Sequence, residues 1–364
     1  MAVTLQPLLD RAGARFSLPV LMKEMRTRMR GWRTPVLLFL TTGIAILIGL
    51  LILSSYWENL SGSLTANDYA AMAAAGRALF TGLVILEAVI CLLFAPALTA
   101  GAITLEREHQ TLDLLFLSRL SNISILLGKL LSSISFLLML LLCVLPVMAI
   151  SFILGGVAPA QVGWSFLLLL SILLLFGMAG LFSSSRLKAT SSSVVVAYGC
   201  AIIWTGMVPA LIGALALLLQ ADPHTMDVGE RGWYYGVMGL ISALYALIPI
   251  FFLSAGLSAV LRRPVSIITN LLLWVPCTVA AFLIIFHGHS ALVSVFNSHP
   301  ENFLVGNPAV ALVQLLVNER DFFPGSPSTI VKLFIPITVG VQLLGALAFA
   351  AHAATALRRQ RQQN

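Results

Sequence analysis

"EREHQTLDLLFLSRLSNISILLGK" runs from Glu106 to Lys129, and its reading decides the fold. Within 24 residues it gathers three acids, two arginines, a histidine and a lysine. Long apolar runs wall it in: "LFTGLVILEAVICLLFAPAL" (Leu79 to Leu98) before it and "LLSSISFLLMLLLCVLPVMAI" (Leu130 to Ile150) after it. Each wall has about the 20 residues that a helix needs to cross the hydrocarbon of a bilayer. A polar stretch between two such walls must surface in water, so the chain crosses a membrane and turns back there.

The rest of the sequence agrees. Of its 364 residues, 59% are hydrophobic and 10% charged, and the mean hydropathy is +0.99. Soluble domains carry roughly 25% charged residues. The expected fold is therefore an all-α integral membrane protein, a polytopic helix bundle. Eight candidate spans meet the length test, at about 35–55, 79–102, 127–154, 164–182, 193–219, 235–261, 265–287 and 330–356. Pro146, Pro209, Pro249, Pro276 and Pro336 fall inside them. Intramembrane prolines are tolerated where neighbouring groups satisfy the freed carbonyls.

The charges then orient the bundle. An even number of spans puts both termini on one side, and Lys and Arg concentrate on the cytoplasmic side. With the termini cytoplasmic, 17 of the 21 basic residues fall inside and four outside (Arg77, Arg231, Arg320 and Lys332). The net charge of +7 is thus a topology signal. No basic face with interleaved aromatics points to nucleic acid. Residues 1–34 are polar and basic, and the first long apolar run begins only at Pro35. They are expected to form a retained cytoplasmic segment and not a cleavable signal. The transmembrane domain is expected over 35–357, with a basic cytoplasmic tail at 358–364.

Two further stretches are neither span nor simple loop. In "FSLPVLMKEMRTRMRGW" (Phe16 to Trp32), Leu18, Met22, Met25, Met29 and Trp32 fall on one helical stripe, with Lys23, Arg26, Arg28 and Arg30 elsewhere. This pattern predicts a basic amphipathic helix on the membrane surface; the alternative is a basic topology flank without fixed helix. The outer segment 288–329 holds a short apolar run, Ala309 to Val317, opened by Asn307 and Pro308. It is too short to span and reads as an interfacial or re-entrant helix.

Catalytic patterns do not emerge. Gly128-Lys129 is followed by Leu130 and lacks the upstream glycine of a nucleotide-binding P-loop. His287, His289 and His299 form a sparse cluster, read as loop histidines, and no metal site is expected. Cys91, Cys143, Cys200 and Cys277 stand singly in apolar runs as small hydrophobes. Glu87 lies within the second span, where an acid costs about 2.5–3.5 kcal/mol at a span centre. It either lines a pathway, as a proton-coupled group, or holds helices together in a neutral, hydrogen-bonded form.

Residues 103–120 read as a cytoplasmic helix, with Leu105, Leu112, Leu115 and Phe116 near one face and Glu106, Arg107, Gln110 and Asp113 elsewhere. Ser121 or Asn122 can cap the following span. This segment resembles one of the type-two ATP-binding-cassette transporter permeases, written roughly R-E-x-x-T-L-[ED]-L-L-L-x-[ST]-P-[LV]-[ST]-x-x-[ED]-I-[LV]-x-G-K. Arg107, Glu108, Thr111, Leu112, Asp113, Leu114, Leu115, Ser121, Ile125, Gly128 and Lys129 fit it. Arg119 stands where the family has proline, and Ser124 where it has an acid. The family module has six spans, and an amphipathic helix precedes the first.

The resemblance implies that this is a coupling helix docked into a cytosolic ATP-binding-cassette subunit. Glu106, Arg107, Glu108, Thr111 and Asp113 would supply polar contacts, and Leu112 and Leu115 would pack into the docking groove. It further implies an exporter of the plasma (inner) membrane, a dimer of permeases with two such subunits. ATP and Mg would be held by the partner, with no cofactor and no enzymatic activity on this chain. Two rivals stand beside it: a secondary transporter using Glu87, and a non-transporting membrane scaffold.

Overall fold

The computed structural model describes residues 31–57, 66–112, 122–207, 234–240, 244, 250–251, 254–255, 257 and 328–363. All regular structure among them is helical. The elements are α1 (Arg33–Trp57), α2 (Ala66–Ala100), α3 (Thr104–Glu108), α4 (Asn122–Leu154), α5 (Pro159–Arg186), α6 (Thr190–Ile202) and α7 (Ser328–Gln363). A five-residue π turn, Ile203–Met207, extends α6.

Helices α1, α2, α4, α5 and α7 are long and apolar enough to cross a membrane. They correspond to the expected spans 35–55, 79–102, 127–154, 164–182 and 330–356. The expected span 193–219 begins on α6, and the described residues within 235–261 (235–240, 244, 250–251, 254–255 and 257) are helical. The span at 265–287, nearly all of the amphipathic stretch Phe16–Trp32, His287, His289, His299 and nearly all of segment 288–329 lie outside the described residues.

Helix α5 is the axis of the bundle. About 72% of its most apolar window is buried, against 17% for α1, so α1 is peripheral. Helices α2, α6 and α7 pack around α5, while α1 leans on α2 and α4. The core is built from Leu79, Leu83 and Cys91 of α2, Leu137, Leu140 and Val144 of α4, Leu168, Leu173 and Phe176 of α5, and Phe349 and Leu357 of α7. Cys143 and Cys200 are half-buried.

Small residues set the closest approaches. A Cβ on Gly180 of α5 would lie 2.0 Å from the Thr99 hydroxyl and 3.0 Å from the Pro96 carbonyl of α2. The α5 backbone therefore rests directly on the turn where Pro96 interrupts the α2 ladder. The Tyr198 hydroxyl donates to the Leu93 carbonyl in the preceding turn. At the other end, Gly155 and Gly156 close the α4–α5 turn at φ of 82° and 83°. A Cβ on Gly156 would sit 2.2 Å from the Ala73 carbonyl oxygen.

Chain direction follows from these contacts. Gly82 of α2 meets Ile48 and Ile52 of α1, and a short connection joins the two helices, so α1 begins at the end where α2 finishes. The last turn of α7 reaches that same end, since Gln360 bonds to Arg107 and Ser185. Arg33, Arg107, Lys129, Arg186, Lys188, Arg358, Arg359 and Arg361 gather there by chain position, while Arg77 and Lys332 belong to the opposite half. The tail 358–364, expected as a solvated end, is helical through Gln363.

Candidate functional site

The polar stretch that follows α2 lies at the basic end of the bundle. Its helix is shorter than its hydrophobic stripe suggests. Helix α3 stops at Glu108 because the chain turns over: the Gln110 N–H donates to Arg107 O (3.1 Å) and the Thr111 N–H to Glu106 O (2.8 Å). These paired bonds form a Schellman motif, with Gln110 in the left-handed position at φ 56° where glycine is usual. The turn reorients what comes next. Leu112 is only 7% exposed and belongs to the chain's own core, whereas Leu105 is 46% exposed. The expected apolar docking pair thus loses Leu112 to the interior; Asp113 and Leu115 lie outside the described residues.

Side chains distant in sequence hold α3 in place. Its N-cap, Ile103, offers no side-chain cap. Instead the Ser184 hydroxyl of α5 accepts from the N–H groups of Ile103 (2.9 Å) and Thr104 (3.0 Å). This satisfies donors that a helix start leaves orphaned. The arrangement is then repeated one element on. Glu108 Oε1 accepts from the Thr190 N–H at 2.8 Å, placing a carboxylate on the N-terminus of α6, where the helix dipole favours it. Thr190 Oγ1 donates to Thr104 Oγ1 (2.9 Å), and Ser193 Oγ donates to Ala100 O at the end of α2 (2.8 Å).

The charged side chains extend the bracing to α4 and α7. Lys129 Nζ lies 3.2 Å from Glu106 Oε1, with 4% of the lysine side chain and 30% of the glutamate exposed. The second oxygen of Glu106 accepts from the Thr111 hydroxyl. A lysine this deeply buried needs a paired anion. Arg107 donates to the Leu187 carbonyl and, at 2.8 Å, to Gln360 Oε1 of α7. The Gln360 amide donates in turn to Ser185 O at 2.7 Å.

Glu106, Arg107, Glu108 and Thr111 are therefore brought together, and all four of these side chains bind the chain itself. Leu105, Glu108, His109 and Gln110 face outward. Sequence reasoning missed Ser184, Thr190 and Gln360. The run "SSSRLKATSSS" (Ser183 to Ser193) was a usable signal, since so many hydroxyls between two apolar helices need backbone partners. Glu87 lies apart, 13 residues or about 20 Å along α2 from its last residue, Ala100, by helical rise. It is buried at 2% exposure, one turn from Cys91.

Beneath the platform sits an aromatic wedge. Phe182 and Phe251 flank Phe349, with ring centroids at 5.4 and 4.6 Å. The Arg186 guanidinium lies 5.0 Å from the Phe182 ring centroid. His352 Nε2 approaches Ser254 Oγ at 3.2 Å.

A family profile described as "ABC-2 family transporter protein" matches residues 18–228, more than half of the chain. No curated protein matches it. The matched region contains α1 to α6, and so every platform contact except those made by α7. Its membrane-crossing helices and this match agree with the permease resemblance read from Arg107 to Lys129. The chain belongs to the ABC-2 family of transporter proteins, as a helical membrane permease subunit of an ABC transporter.

Proposed function

We propose that this permease is the translocating half of an exporter, driven by ATP hydrolysis on a separate cytosolic subunit that docks on the α3 platform. ATP and Mg belong to that subunit, and no residue here performs hydrolysis or holds a cofactor. Two permeases pair, each with its own ATP-binding subunit, in a plasma (inner) membrane with both termini cytoplasmic. The clustering of basic side chains at the α3 end supports that orientation.

One observation carries the reading: a five-residue helix at the end of the bundle is tied to α4, α5, α6 and α7 at once. A loop with no mechanical duty would not need that bracing. A push on Leu105, Glu108, His109 or Gln110 is passed to α5 through Ser184, to α6 through Thr190 and to α4 through Lys129. Because α5 is the axis of the bundle, displacement of α3 reaches the interior along a packed helix. Asp113 and Leu115 are assigned to the same docking surface. Leu112 anchors the segment from below.

The test is co-purification with the ATP-binding subunit, identified by its P-loop peptide. Glu108→Lys combined with Asp113→Lys should abolish association, and Glu87→Gln should leave it intact. Buried Glu87 favours one rival, a secondary transporter. Transport that follows a proton gradient without any ATPase would establish that rival and overturn this proposal.

A further inference from the structure

We infer that Gln360 is a positioning residue that makes α7 a strut for the docking platform. This role goes beyond the family match, which ends at residue 228, and it rests on the proposed docking at α3. Gln360 uses both ends of its amide. The oxygen accepts from Arg107 Nη2 (2.8 Å), and the nitrogen donates to Ser185 O (2.7 Å). The amide offers an acceptor to the guanidinium and a donor to the carbonyl at once.

The carbonyls it helps to satisfy are those a helix end leaves open. Ser185 O takes Gln360, and Leu187 O takes Arg107. Thus α3, the end of α5 and the end of α7 share one hydrogen-bonded junction. A neutral amide holds Arg107 less tightly than a carboxylate would, which suits a joint that must move. Arg361 adds a longer contact to Asn122 Oδ1 at the start of α4 (3.4 Å).

Below the junction, α7 is fixed along α5. Ser171 and Gln342 are hydrogen-bonded in the buried interface. A Cβ on Gly345 would lie 2.9 Å from Leu175 Cδ1, so the α7 backbone lies directly against α5. With its body fixed, α7 presents Gln360 at a set height, and that height sets Arg107.

A spin label on His109→Cys tests this, with Cys91, Cys143, Cys200 and Cys277 replaced by alanine and the full chain in nanodiscs. Gln360→Met keeps the shape and loses both bonds. It should raise the mobile fraction of the label at least about threefold, the ratio one lost hydrogen bond supports, while the melting temperature falls by only about 2 °C. Transport per ATP should fall with it, although the ATP-binding subunit still associates. Gln360→Glu keeps the bond to Arg107 and should keep the parent spectrum.

An unchanged label in Gln360→Met overturns the strut. So does a fully mobile label in Gln360→Glu, and this arm decides the matter if Gln360→Met does not accumulate. The spectrum of the chain alone reports the strut directly. Failure of the ATP-binding subunit to bind the parent would instead count against docking.

Discussion

Replacing Glu106 by glutamine removes the anion 3.2 Å from Lys129 while leaving an acceptor for Thr111. At that distance, and at the effective dielectric of a protein near its surface, the gross attraction is about 5 kcal/mol. Breaking a fully buried pair costs roughly 3–5 kcal/mol, because the remaining charge stays desolvated. Here Lys129 keeps only 4% of its side chain exposed, but 30% of Glu106 meets water. The net cost of Glu106→Gln should therefore be about 2 kcal/mol, below the buried range.

Lys129→Met should behave differently. It replaces a buried ammonium by an apolar chain of similar shape and leaves a carboxylate that can turn to water, costing about 0–1 kcal/mol. The double variant should then match Lys129→Met alone, a coupling of about 2 kcal/mol. Thermal unfolding of the purified chain, followed by tryptophan fluorescence, should show Glu106→Gln about 4 °C below the parent. A Glu106→Gln protein that melts with the parent, or single effects that simply add, would refute the argument.

Other perturbations address other joints. Ser184→Ala should cost about 1–3 kcal/mol by stranding the N–H groups of Ile103 and Thr104, and hydrogen exchange at those two amides should rise. Gly155→Ala meets only backbone strain, whereas Gly156→Ala also drives a Cβ to 2.2 Å from Ala73 O. The first should lower stability by about 1 kcal/mol and the second by clearly more, as a pair of melting curves would show. Gln110→Gly should raise stability by about 1 kcal/mol, since it removes the left-handed strain at φ 56°. Glu87→Gln should leave the melting temperature unchanged and ATP-driven transport within about twofold of the parent, and vesicle uptake assays would expose a larger loss.

The five spans carried by α1, α2, α4, α5 and α7 were legible because burying an apolar helix in lipid needs a long run of such residues. The start of α2 was not. Expected near Leu79, it begins at Ala66, because "ANDYAAMAAAGRA" forms helix through alanine while Asn67, Asp68 and Arg77 lower its hydropathy. The α3 segment shows a second kind of limit. Its stripe assumed one unbroken helix, and no glycine announced the turn at Gln110, so Leu112 was assigned outward when the turn carries it inward. The caps of α3 and α6 come from residues about 80 positions away, beyond the reach of any local pattern. Glu87 was legible as buried because an acid amid so many apolar neighbours has nowhere else to go.

A photo-crosslinking amino acid at His109 reports whether an ATP-hydrolysing subunit sits on α3. His109 is exposed on the platform, and Tyr69, 61% exposed on the far half of α2, is the control site. In membranes containing both subunits, light should join a P-loop ATPase to position 109 and leave position 69 without it. A full yield of crosslinks from Tyr69, or none from His109 while the ATPase co-purifies, would contradict the account.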